Sequence, residues 1–200
     1  MMKREEPRRF DISAIDFDLL RREFAKVKKK NLVLKDLEEL IRMKLDKMLF
    51  ANPERIKYYE RYQQIIDNYN SEQDRATIEK TFMDLMDLAN SMNQEEQRYV
   101  REGFASDEEL SLYDMLFRED LSKNDIKKLK EVAATLLQKI KAKISELDHW
   151  TDKQETKAAI DNLIRDTLWA QLPECYDEVS ISVYRQQIYE YVYTRYKEVA

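Results

Sequence analysis

Apolar residues recur along this chain at steps of three and four, the spacing that puts side chains on one face of an α-helix. Phe17, Leu20, Phe24 and Val27 predict a first helix from Asp16 to about Lys29. Leu37, Leu40, Ile41, Leu45, Met48 and Leu49 predict a second from Lys35 to Ala51. Asn52-Pro53 breaks it, and the proline suits the first turn of the next helix, where its missing N–H is not needed. That third helix runs from Glu54 to Tyr69.

Later starts are marked by capping pairs. A short polar side chain accepts from an orphan backbone N–H, and in some pairs the residue three places on reaches back. Ser71 with Asp74, Asn93 with Glu96, Ser106 with Glu109, Ser122 with Asp125 and Thr151 with Gln154 are such pairs. They place helices near 73–91, 94–103, 107–118, 123–148 and 152–171. A last helix, from Val179 to Glu198, carries Ile181, Tyr184, Ile188, Val192 and Arg195/Tyr196 along one side. In the longest segment Ile126, Leu129, Ala133, Leu136, Ile140, Ile144 and Leu147 run near a period of 3.5. This suits a short antiparallel coiled-coil arm or a core helix with a long seam; little more than three heptads favours the core helix.

The expected fold is therefore all-α, an irregular bundle of about eight or nine helices with one long helix near 123–148. Residues 1–14 read as a charged, flexible arm, and 15–200 as a helical domain, or as two subdomains, 15–104 and 105–200. The doubled Met1-Met2 suggests a start added at a domain boundary, so that the chain reads as a piece of a longer protein.

Composition narrows the function more than the fold. With one Gly and three Pro among 200 residues, β-hairpin turns have almost no raw material. Gly103 stands alone, and a phosphate-cradling loop needs several glycines. Hydrophobic residues at 43% beside 38% charged residues suit soluble helices with apolar stripes. No apolar run is long enough to span a membrane, and the charged N-terminus is unlike a secretory signal. A single cysteine, Cys175, excludes an internal disulfide and fits a reducing cytoplasm.

Candidate chemistry is sparse. His149 is the only histidine; with Glu146 it makes an i, i+3 pair, but a di-iron bundle needs two such pairs and further glutamates. A histidine beside a helix C-terminus is the plainer reading. Glu155-Thr156-Lys157 matches the short E-x-K end of a magnesium-dependent nuclease pattern. Such nucleases carry it on a strand, whereas here it falls in a helix start. Cys175 has no histidine partner in view and reads as a buried or partly buried loop thiol. No catalytic, cofactor-binding or metal-ligating residue is assigned, and no cofactor is expected.

Two excesses remain. Arg21, Arg22, Lys26, Lys28, Lys29 and Lys30, with Glu23 among them, give a local charge of +5 on a chain of net −5. These residues suit DNA phosphates, or else form the solvated outer face of a helix whose inner face is Leu20, Phe24 and Val27. There are also twelve tyrosines. Tyr58, Tyr59, Tyr62 and Tyr69 fall on the third helix, and Tyr184, Tyr189, Tyr191, Tyr193 and Tyr196 on the last. Tyr58, Tyr59, Tyr62, Tyr189, Tyr191, Tyr193 and Tyr196 are candidates for a protein interface, since tyrosine gives contact area at little entropy cost. Tyrosines packed at helix seams with their hydroxyls at the rim would look the same.

The stretch Asn52 to Asn70, NPERIKYYERYQQIIDNYN, with Leu37 to Phe50 before it, resembles the motor-nuclease (R) subunit of type I restriction enzymes. So do Ile144 to Trp150, Lys153-Gln154 with Lys157, Ile164-Arg165-Asp166 leading to Leu172-Pro173, and Tyr189 to Tyr193. Together, in order, they cover most of residues 15–198. The resemblance implies a C-terminal helical domain of a subunit that also holds a nuclease domain and two RecA-like motor domains. Neither of those has a counterpart in this chain, so their catalytic residues cannot be carried over. The implied role is non-catalytic assembly: packing against the motor domains of the same subunit and docking it onto the methyltransferase and specificity subunits. A DNA-contacting accessory domain using the basic helix, or a free-standing helical adaptor, are the alternatives.

Overall fold

The computed structural model describes residues 16–71, 75–147 and 149–197. Among them there are nine α-helices, one 3-10 turn and no strand, as the periodicity predicts. The expected arm 1–14 and Asp74 of the expected Ser71–Asp74 cap lie outside the described residues; Ser71 ends a helix, its hydroxyl donating to Asn68 O at 2.8 Å. The chain divides into two compact units. One ends at Leu49 and resumes from Arg55 to Gln97; the other takes Phe50–Glu54 and continues from Arg98.

The first unit holds α1 (Phe17–Lys26), most of α2 (Lys30–Ala51), α3 (Ile56–Ser71) and α4 (Arg75–Glu96). Asp16 caps α1, its carboxylate accepting from Leu19 N at 3.0 Å. The helix stops at Lys26, three residues short of the expected Lys29, and α2 begins five residues earlier than expected. That early start brings Leu34 onto the stripe Leu34, Leu37, Ile41, Leu45, Met48, all buried, while Leu40 and Leu49 are only partly covered. The core is completed by Phe24, Tyr62, Ile65 and the α4 stripe Phe82, Leu85, Met86, Leu88, Ala89 and Met92. The Phe24 and Phe82 rings stack at 3.6 Å.

The expected break at Asn93 does not occur. α4 runs on to Glu96, and the expected helix 94–103 shrinks to four residues in the other unit. Asn93 and Glu96, which look like a capping pair, instead face Lys44. Its ammonium donates to Asn93 Oδ1 and, at 2.8 Å, to Glu96 Oε2.

The second unit holds α5 (Arg98–Arg101), α6 (Asp107–Leu116), α7 (Lys123–Glu146), α8 (Gln154–Gln171) and α9 (Glu178–Tyr196). Two caps are as expected: Ser106 accepts from Glu109 N, and Ser122 with Asp125 forms a reciprocal capping box. Thr151 does not cap. α8 starts behind Lys153 with no side-chain cap, and the turn is held instead by Thr156, whose hydroxyl donates to Trp150 O at 2.7 Å. Asp177 caps α9 by accepting from Ser180 N at 2.8 Å. Gly103, at φ +79, turns the chain between α5 and α6 in the left-handed region that glycine enters freely.

α7 is a core helix packed between α6 and α8. It buries Leu129, Val132, Ala133, Leu136, Leu137, Ile140 and Ile144. Trp150 is fully buried and its indole N–H donates to Tyr196 O at 3.1 Å. Covering an indole removes about 200 Å2 from water, roughly 5 kcal/mol of driving force.

Candidate interaction surfaces

Residues 50–54, which read as a simple helix break, are tied into the second unit by a polar network. Asn52 is fully buried; its amide donates to Asp114 Oδ2 at 2.7 Å, and its carbonyl accepts from Glu54 N at 3.1 Å. Ala51 O accepts from the Ser111 hydroxyl at 2.7 Å and from the Tyr191 hydroxyl at 3.3 Å. Arg195 lies over the Phe50 ring at 5.8 Å. Burial, and then the Asp114 charge, raise the Glu54 carboxyl above its usual range. The Asn-Pro motif thus positions a backbone carbonyl and a buried amide as well as ending a helix.

Glu108 is a second focus in this unit. It accepts from Arg195 Nε at 3.0 Å and the Tyr196 hydroxyl at 2.9 Å, and also from Lys141. Burial pushes its carboxyl up, but these three donors outweigh that and hold it below the usual range. Arg195 and Tyr196 are thus held by Glu108, as Tyr191 is by Ala51 O.

The candidate tyrosines have separate fates. Tyr62, Tyr191 and Tyr196 are buried, Tyr58 and Tyr189 are half-buried, and of the seven only Tyr59 and Tyr193 are exposed. The Tyr62 hydroxyl donates to Glu38 at 3.0 Å; burial and this carboxylate push its pKa up to about 12. Tyr58 donates to Glu95 at 3.2 Å. The seven are divided between α3 in one unit and α9 in the other.

More exposed apolar side chains stand elsewhere. Trp169 in the last turn of α8 is 62% exposed, and Val179 and Val183 at the start of α9 are 72% and 50% exposed. Val179 and Val183 are four residues apart and so share a face. All three flank the α8–α9 connection. A helical wheel places them in advance: Trp169 lies nine residues past buried Ile160, about two and a half turns, on the opposite side of α8.

The six basic residues cluster at the α1–α2 turn. Arg21, Arg22 and Lys26 are exposed on α1, Lys28 and Lys29 lie in the turn, and Lys30 opens α2. Lys26 pairs with Glu23 at 3.0 Å, and half-buried Lys30 pairs with Glu79 while sitting 5.2 Å from the Phe24 ring centre.

The remaining candidates separate. Glu155 is exposed in the first turn of α8 and Lys157 lies 6.0 Å from the Tyr193 ring, so the E-x-K triplet is helical surface. Glu146 pairs with Lys143 at 3.0 Å, and His149, at φ 47, is exposed beyond the end of α7. Cys175 is exposed, contrary to the expected buried thiol, because Leu172, Pro173 and Tyr176 take the inward positions of that loop. No group of three or more His, Cys, Asp or Glu among the described residues could hold a metal ion, and none of their helices is long and apolar enough to cross a membrane.

The family described as type I restriction enzyme HindI endonuclease subunit-like, C-terminal, matches residues 2–189. No curated protein and no solved structure matches the chain. With nearly the whole chain matched in one span, it belongs to this family, the C-terminal domains of type I restriction enzyme HindI endonuclease subunit-like proteins.

Proposed function

We propose that this chain is a non-catalytic assembly domain. It docks the type I restriction subunit onto the methyltransferase–specificity core, in the cytoplasm, through the outer faces of α8 and α9 around their connection. The motor domains of the same subunit are its other neighbour. What supports the docking reading is the exposure of Trp169, Val179 and Val183 at 62%, 72% and 50%. Side chains of this size covered by a partner supply binding energy, and tryptophan is enriched among the few residues that dominate interfaces.

The test is isothermal titration of the 200-residue chain into its purified methyltransferase–specificity complex. Saturable binding is expected, with Trp169→Ala weakening it about 30-fold, the scale of a 2 kcal/mol hot spot. Tyr59→Ser, on α3, serves as the control. Binding unchanged by Trp169→Ala refutes this face as the dock. ATP hydrolysis or metal-dependent DNA cleavage by the purified chain refutes the non-catalytic reading.

A further inference from the structure

The first unit carries a charged cleft that the docking reading does not use. It has a volume of about 820 Å3 and lies at the α1–α2 turn, with Lys28, Lys29, Lys30 and Lys35 around it and Ala25, Val27 and Ile78 among its apolar lining. Lys28, Lys29 and Lys35 are exposed, as are Arg21 and Arg22 nearby on α1. None of these five makes an ion pair with another described residue, whereas Lys26 and Lys30 are paired with Glu23 and Glu79. Five cations with no ion-pair partner among the described residues thus gather on one short segment of a chain whose net charge is −5.

We propose that this cleft is a binding surface for the phosphate backbone of double-stranded nucleic acid. The proposal is independent of the α8–α9 dock, which uses other residues in the other unit. Three features favour phosphates. The free cations include three lysines, which act as compact point charges suited to phosphate. Apolar walls weaken solvent screening around them. The cations are also spread: Lys35 stands five residues into α2 from Lys30, an advance of about 7.5 Å. One strand of a duplex carries a phosphate about every 3.4 Å of its axis, so it offers an extended row of charges to cations spread in this way. An isolated small anion would need convergent donors instead. Contacts of this kind read no base edge, so the surface should bind without sequence preference.

Fluorescence anisotropy of the full chain with a short labelled duplex of arbitrary sequence, at several salt concentrations, tests this. The variant K28E/K29E/K35E is compared with K47E/K127E/K139E, which changes the same charge at exposed lysines elsewhere. Circular dichroism verifies that both remain folded. The wild type should bind with steep salt dependence. The cleft variant should lose about tenfold or more in affinity, and its log–log salt slope should flatten by about 2 to 3, close to 0.9 per lost phosphate contact. The control set should retain most of both. Equal losses in the two sets, no salt-dependent binding, or competition by polyglutamate as effective as by unlabelled duplex at equal charge would each overturn the proposal.

Discussion

Replacing Glu95 by Gln should destabilise the first unit far more than a single carboxylate-to-amide change on the surface. Arg55 Nε stands 3.2 Å from Glu95 Oε1, and the two side chains are 2% and 6% exposed. At an effective dielectric constant of about 20, two unit charges at that separation attract by roughly 5 kcal/mol. Desolvation offsets much of this in the intact pair, so the pair's net contribution is small. Removing one member is different, because the desolvation cost of the other persists. Such losses run at about 3–5 kcal/mol. Gln keeps the volume and an oxygen for the Tyr58 hydroxyl, which donates to Glu95 at 3.2 Å, so the lower end, about 3 kcal/mol, is expected. For a unit of fewer than 100 residues that is a fall in Tm of roughly 12–24 °C. Thermal and urea unfolding followed by far-UV circular dichroism read the two forms of the loss. Because the two units can unfold separately, the shift is sought in one transition rather than in a single global value. The double variant R55M/E95L should recover most of the loss, since apolar side chains of similar volume carry no desolvation cost. A Glu95→Gln midpoint within about 0.5 kcal/mol of wild type, or a double variant no better than the single one, would refute the buried-charge argument.

Two further outcomes follow from the second unit. The Glu108 carboxyl is held below its usual range in the folded chain, so its contribution is present above the unfolded pKa and lost as pH falls through the folded one. Glu108→Gln should therefore cost about 1.5–3 kcal/mol at pH 7, the scale of hydrogen bonds to a charged group, with the gap from wild type closing below about pH 4. A gap independent of pH in urea titrations would sink that reading. Gly103→Ala should cost about 1–2 kcal/mol from its backbone alone, because φ is +79 and a Cβ there meets nothing within 4 Å. A neutral result by thermal melting would show that the turn can relax.

The legible parts of the fold are those governed by neighbours in sequence. Ser106 and Ser122 cap what they were expected to cap, because the donors they satisfy lie three residues away. The α7 stripe is visible because a helix repeats its inner face by its own geometry. Asn93 and Glu96 have the same local pattern as a cap, yet Lys44, 49 and 52 residues away, takes both side chains. Arg55 and Glu95 are 40 residues apart, and Asn52 and Asp114 are 62 apart. No periodicity links such partners. A polar residue's place is set by a counterpart that only the folded chain brings near.

The aromatic residues make the same point for function. A tyrosine or tryptophan has a large apolar body and a polar tip, and its tip decides whether the body can be buried. Tyr191 and Tyr196 go inside because Ala51 O and Glu108 receive their hydroxyls, and Trp150 because Tyr196 O receives its N–H. Their abundance in the sequence could not separate them from interface residues, since those acceptors are 46 to 140 residues away. Trp169, on the far side of α8 from Ile160 and Ile164, stands 62% exposed instead. The two tryptophans of this chain thus lie at opposite extremes of burial for reasons of register and partner. The exposed one leaves its apolar body open, and for this reason the docking test is placed on Trp169 rather than on the more numerous tyrosines.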